Sequence, residues 1–120
     1  LVMSQNLFLE SAKCKIGVIR NPFERAVTEY QNSLNYVGFD VWLNANVMQS
    51  QKEIYKDCNI LIRLEDWKHE LEELDLHPKD TSVLENLFVA PMWKQWYTLR
   101  TRSSVATLYK DDIITFGYTL

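Results

Sequence analysis

The 120-residue chain reads as an α/β domain with a parallel sheet flanked by helices, and three observations predict it. The runs Ile16-Gly17-Val18-Ile19-Arg20 and Asn59-Ile60-Leu61-Ile62-Arg63-Leu64 are continuously apolar up to a terminal arginine or near one, as in strands covered on both faces. Each run is followed almost at once by apolar residues at helical spacing. A strand–helix unit that occurs twice in succession is the pattern of parallel strands joined by crossovers.

The first unit is the better specified. After Arg20, the residues Phe23, Ala26, Val27, Tyr30 and Leu34 recur at helical spacing. Asn21 suits the N-cap, Pro22 the first helical position, where a missing N–H costs nothing, and Glu24 completes a capping box. The helix is expected to run to about Val37 and stop at a left-handed Gly38. Its N-terminus offers unpaired N–H groups and partial positive charge, and Arg20 adds a full charge beside it, which is the composition of a phosphate site. Gly17 reads as a small residue required by packing, or as a point of close ligand approach.

The remaining elements follow in order. Leu7, Phe8 and Ser11 share one face of a short helix over Ser4–Ala12, with Ser4 as its cap. Asp40 is expected to cap a second short helix carrying Val41, Trp42 and Leu43, and Asn44–Gln51 is polar and irregular. Glu65 and Asp66 open a helix with Trp67, Leu71 and Leu74 on one face and Glu70, Glu72 and Glu73 toward water. His77-Pro78-Lys79-Asp80 is a turn. A further short helix from Ser82 presents Val83, Leu84, Leu87, Phe88 and Val89 and is ended by Pro91. A last helix over Leu99–Phe116, capped by Thr98 and stopped by Gly117, closes the chain.

Composition bounds the function. Sixteen acidic against thirteen basic residues give a net charge of −3, so no global basic field favours nucleic acid. A hydrophobic fraction of 47% and mean hydropathy of −0.25 are ordinary for a soluble globular chain of one domain. No run approaches the ~20 apolar residues of a membrane span, and no secretory signal opens the chain, which favours a cytoplasmic setting. Cys14 and Cys58 are too few for a disulfide scaffold and are expected to be buried free thiols. The chain begins with Leu1, so a fragment or a processed product is one expectation.

Val18-Ile19-Arg20-Asn21-Pro22-Phe23-Glu24-Arg25-Ala26-Val27-Thr28-Glu29-Tyr30 resembles the 3′-phosphate-binding segment of sulfotransferases that use 3′-phosphoadenosine 5′-phosphosulfate (PAPS). In that family a strand ends in Arg-Asn-Pro or Arg-Asp-Pro, followed by an aromatic residue, an acidic residue, Arg, and Ser eight positions after the first Arg. Only Thr28 departs, Thr for Ser, and its hydroxyl can donate the same bond. Ile60–Trp67 resembles the family's later strand ending in Arg-x-Glu-(Asp/Asn)-Leu, and Leu108–Tyr118 its closing helix with a final Phe-Gly-Tyr. The resemblance spans about Ile16 to Tyr118. It implies a P-loop-kinase-like sulfotransferase fold truncated at its N-terminus, with PAPS or its product PAP (adenosine 3′,5′-bisphosphate) as co-substrate and Arg20 and Thr28 as the cofactor-binding residues.

Two parts of the family's site have no counterpart. The Gly/Ser/Thr-rich loop that binds the 5′-phosphosulfate is missing before Ile16, and the general base, which lies upstream in the family, cannot be assigned. No catalytic residue is named and no metal is implied. Three readings follow: a sulfotransferase completed by a missing N-terminal part or a second chain; a non-catalytic relative acting as a structural or interaction protein; and an unrelated α/β domain with a generic anion site. Other readings of the residues stay open. Arg20 either binds phosphate or pairs with a carboxylate such as Glu24, and Thr28 either reaches a ligand or faces water. Trp93, Trp96 and Tyr97 either pack in the core or stack on an adenine or a sugar, and Trp93 and Trp96, if exposed, favour self-association. Arg100 and Arg102 form a basic spot facing an anionic acceptor or water. His69 and His77 read as solvated.

Overall fold

The computed structural model describes residues 2–3, 15–33 and 37–120, so the expected helix over Ser4–Ala12 lies outside the described residues. In chain order the elements are β1 (Val2–Met3), β2 (Ile16–Ile19), α1 (Pro22–Asn32), α2 (Phe39–Ala45), α3 (Gln51–Ile54), β3 (Ile60–Arg63), α4 (Trp67–Glu73), α5 (Ser82–Glu85), α6 (Leu99–Leu108) and α7 (Lys110–Phe116). Short 3₁₀ turns occupy Leu64–Asp66 and Trp93–Trp96. The fold is α/β with a small parallel sheet. The chain divides into two compact units, Leu1–Arg20 with Gln51–Leu87, and Asn21–Ser50 with Phe88–Leu120.

The first unit holds the sheet. Its three strands are parallel in the order β1-β2-β3, with Ile16 opposite Ile60 and Ile19 opposite Arg63. A Cβ on Gly17 would stand 2.7 Å from Tyr55 Cδ1 and 2.9 Å from Leu61 Cδ2, so only glycine lets these side chains close over β2. The packing explanation for Gly17 therefore holds. Val18, Ile62, Leu64, Leu71 and Leu84 form the core of this unit, with Trp67, Leu76 and Leu87 against it.

β3 departs from the expectation of a strand covered on both faces: Ile62 is buried while Leu61 and Arg63 are exposed. It lies at the edge of the sheet order, and its alternating burial is that of a strand packed on one face. Leu74 follows the last turn of α4 and is exposed, so Leu71 alone is fully buried on that helix. Glu70 is not simply wet, because its carboxylate accepts the backbone N–H of Arg63. α5 is a single turn that buries Leu84 and leaves Val83 outside. Cys58 is disulfide-bonded, which overturns the free thiol expected there; Cys14 lies outside the described residues.

The second unit is helical. α1 packs against α2, α6 and the 3₁₀ turn at Trp93–Trp96, and α6 also contacts α2 and α7. Phe23, Ala26, Val27, Phe39, Trp42, Leu43, Ala90, Val105 and Tyr109 make its core. α1 starts where expected, with Asn21 Oδ1 accepting the Phe23 N–H at 2.9 Å and Pro22 in the first turn. It ends earlier than expected, at Asn32 with Ser33 as its C-cap. Gly38 is not a left-handed stop but the extended N-cap of α2, with φ −65° and ψ 156°, and Asp40 sits in the first turn of that helix. Phe88 and Val89, expected on a helix, follow α5 in irregular backbone and are exposed.

The closing helix is broken in two. Thr98 caps α6 as predicted, with Thr98 and Thr101 side chains each accepting the other's backbone N–H. The break falls at Tyr109, whose φ of −116° and ψ of 30° are not helical. α7 then ends at Gly117 with φ 71°, the left-handed stop that glycine adopts without steric cost. Among the described residues no helix is long and apolar enough to cross a membrane.

Candidate functional site

The two residues that the resemblance assigns to the cofactor fall one in each unit. Arg20 directly follows β2 in the first unit, and it is buried. The ladder between β2 and β3 ends at Ile19, and a side chain takes over for Arg20. Gln51 Oε1 accepts the Arg20 N–H at 2.8 Å and Gln51 Nε2 donates to the Arg20 carbonyl at 2.7 Å. One primary amide thus satisfies both backbone groups of a buried residue, as a neighbouring strand would. Gln51 had no functional reading in the sequence, since it stands in a polar stretch 31 positions away.

In the second unit the first two turns of α1 carry a buried polar row. Glu24, Arg25 and Thr28 are all buried. The Thr28 hydroxyl donates to the Glu24 carboxylate and accepts the Ala90 N–H at 3.1 Å. Thr28 is therefore neither facing water nor idle, and its single proton is committed within the helix. Arg25 Nη1 donates to the Gln49 carbonyl at 3.0 Å. The N-cap residue is itself tied down, with Asn21 Nδ2 donating to the Thr119 carbonyl at 2.9 Å.

Two tyrosines complete this row. Tyr97 Oη donates to the Phe23 carbonyl at 2.7 Å, and Tyr109 Oη accepts the Met48 N–H at 3.0 Å. Burial pushes the Tyr97 phenol well up, with Tyr109 and Glu24 adding smaller pushes in the same direction. Burial also raises Tyr109, against the Met48 N–H and the Arg25 charge, which favour the phenolate; Asp112, fully buried on α7, opposes it. Asp112 lies within the stretch Leu108–Tyr118 that resembles the family's closing helix, and nothing local in the sequence marks it as buried.

These phenols make stability depend on alkali in a defined direction. Below pH ~10 the phenol is protonated in both folded and unfolded chains and stability is intact. Above it the unfolded chain releases protons that the native chain keeps, so each such tyrosine subtracts up to about 1.4 kcal/mol per pH unit. Urea unfolding at pH 8 and pH 11 is expected to show this loss, with a shallower loss in Tyr97→Phe. Equal pH dependence in the two proteins would refute it.

The aromatic cluster after Pro91 divides between the readings given to it. Tyr97 packs edge-on against Phe23 and Phe39, each at 5.5 Å, and is core. Trp93 is half-buried, with the Lys94 ammonium 5.6 Å from its ring. Trp96 remains exposed, and so do Arg100 and Arg102. His69 and His77 sit in exposed pairs with Glu73 at 3.0 Å and Asp75 at 2.9 Å. Among the described residues no three His, Cys, Asp or Glu side chains come together to hold a metal ion. Comparison with protein-family models, curated proteins and solved structures found no match.

Proposed function

We propose that the chain is a sulfotransferase-like domain that binds the 3′-phosphate of PAPS or PAP, with Arg20 as the principal phosphate contact and Thr28 as the second. One observation carries this reading. β2 is a parallel strand that ends at Ile19, and Arg20 alone stands between it and the Asn21-capped, Pro22-led helix that the resemblance calls for. A guanidinium at a strand end can hold phosphate by paired, charge-assisted hydrogen bonds. PAPS, when bound, supplies an activated sulfuryl group for transfer to a hydroxyl or amine acceptor. Arg20 suits the 3′-phosphate in kind. Thr28 suits it only by exchanging the bond it donates to Glu24.

That last point favours a second reading, a non-catalytic relative in which the motif survives as structure and the domain serves as a structural or interaction protein. Calorimetric titration with adenosine 3′,5′-bisphosphate separates the two. Saturable binding is expected, weakened at least about tenfold in Arg20→Ala, or about 1.4 kcal/mol, and less in Arg20→Lys. A folded wild-type chain that does not bind, or binding indifferent to both substitutions, would reject the phosphate assignment and leave the structural reading. Circular dichroism of each variant establishes that it is folded.

A further inference from the structure

At Ile19 the ladder between β2 and β3 ends, because β3 turns after Arg63 into the 3₁₀ turn over Leu64–Asp66. Arg20 thus stands between the last laddered residue of β2 and the N-cap of α1. Gln51 holds it there through the Arg20 N–H at 2.8 Å and the Arg20 carbonyl at 2.7 Å. These two groups belong to different peptide units, one on each side of the Arg20 Cα. Fixing both units fixes φ and ψ of that one residue, and with them the direction of its Cα–Cβ bond. The amide has a single workable orientation, since turning it over would set donor against donor and acceptor against acceptor. Its own root is anchored. Gln51 is the fully buried first residue of α3, its carbonyl accepts the Tyr55 N–H at 3.0 Å, and Tyr55 closes over Gly17 of β2.

We propose that Gln51 is a positioning residue for the nucleotide 3′-phosphate: it acts through Arg20, and its amide sets the aim of the guanidinium by fixing the Arg20 backbone. The inference rests on the phosphate reading of Arg20 and adds to it the residue that makes that contact strong. A guanidinium binds phosphate best as a planar fork with two parallel N–H···O bonds, a geometry that tolerates little error in direction. Arginine reaches its ligand through a long side chain rich in rotamers, whose ordering already costs entropy. A root free to turn as well would add to that cost and spread the fork over many directions. Filling space or satisfying one stray polar group would stabilise the fold equally well from many positions. Two bonds to the two peptide units of one residue constrain that residue in particular. Gln51 and Arg20 both belong to the first unit, and sequence spacing gives no sign of the pairing, since they stand 31 positions apart.

The test is calorimetric titration of the full chain with adenosine 3′,5′-bisphosphate and with adenosine 5′-monophosphate, which lacks the 3′-phosphate; the ratio of the two affinities isolates that group. Wild type is expected to prefer the bisphosphate by at least about tenfold. Gln51→Met, which keeps the volume and removes both hydrogen bonds, should lose most of that preference while remaining folded by circular dichroism. A double-mutant cycle supplies the readout that a merely structural role would not move. A lysine ammonium is a point charge with no fork to aim, so in an Arg20→Lys background Gln51→Met should cost at most about threefold where it costs about tenfold beside arginine. Gln51→Glu keeps the test decisive if Gln51→Met fails to fold. Its preference, taken relative to wild type at the same pH, should be low at neutral pH and return in mild acid, when the carboxyl can again donate to the Arg20 carbonyl. Wild type that binds both nucleotides equally, or neither, would reject the phosphate reading and this inference with it. Wild-type preference retained in folded Gln51→Met, or in folded Gln51→Glu at neutral pH, would overturn this inference alone, and so would an equal loss in the arginine and lysine backgrounds.

Discussion

Gln51→Ala is expected to destabilise the chain by about 2–6 kcal/mol, measured by urea unfolding. The amide is fully buried and makes two hydrogen bonds to the backbone of Arg20. Alanine would leave an N–H and a carbonyl unsatisfied where water enters poorly, at roughly 1–3 kcal/mol for each group. A chemically graded variant sharpens the test. Gln51→Glu keeps the acceptor for the Arg20 N–H but turns an ionised oxygen toward the Arg20 carbonyl. It should be destabilised at neutral pH and recover in mild acid, once the carboxyl carries a proton to donate. A loss under about 0.5 kcal/mol in Gln51→Ala, the size of an ordinary surface substitution, would mean that the Arg20 backbone is satisfied by other means.

Phe23→Ala is the second large effect, a loss of about 3–5 kcal/mol. Phe23 is buried in the core of the second unit, packs edge-on against Tyr97 at 5.5 Å, and lends its carbonyl to the Tyr97 hydroxyl. Truncation removes the ring, opens a cavity and loosens the support of that phenol, and edge-on aromatic pairs add about 0.5–1.5 kcal/mol beyond their buried area. Phe23→Leu, which refills most of the volume, should recover more than half of the loss. Equal destabilisation by Ala and Leu would show that ring geometry, rather than filled volume, is what this position supplies.

These cases mark how far the sequence reaches. The start of α1 was legible because its signals are local: Asn21 caps, Pro22 presets φ, and the apolar spacing begins at once. Thr98 and Gly117 were legible for the same reason. The break between α6 and α7 was not, because Leu108, Tyr109 and Ile113 keep helical spacing straight through it and no glycine or proline marks the place. Gly38 misled because a glycine after an apolar run signals either the end of one helix or the start of the next. Of the two candidate residues, Arg20 was expected as the last residue of the strand and stands one position past its end, where its backbone is held by distant Gln51. Thr28 fell off the apolar face in the periodic pattern, yet it is buried because Glu24 and the Ala90 N–H satisfy its hydroxyl. Periodicity sorts residues by hydrophobicity and carries no information on polar groups that are buried with their partners.

The division of the chain also bears on how it can come into being. Each unit is made of two stretches, and they alternate along the sequence. During synthesis, β2 emerges before its partner β3, and everything from Asn21 to Ser50 must be held meanwhile. α1 and α2, in turn, wait until Phe88 and beyond have been released before Ala90, Val105 and Tyr109 can close their core. Pairing stretches so far apart raises the entropy cost of the first productive contacts and slows folding. The apolar faces of α1 and α2 thus lack part of their cover until Phe88–Leu120 has been made, the interval in which a nascent chain is most open to aggregation and to chaperone capture.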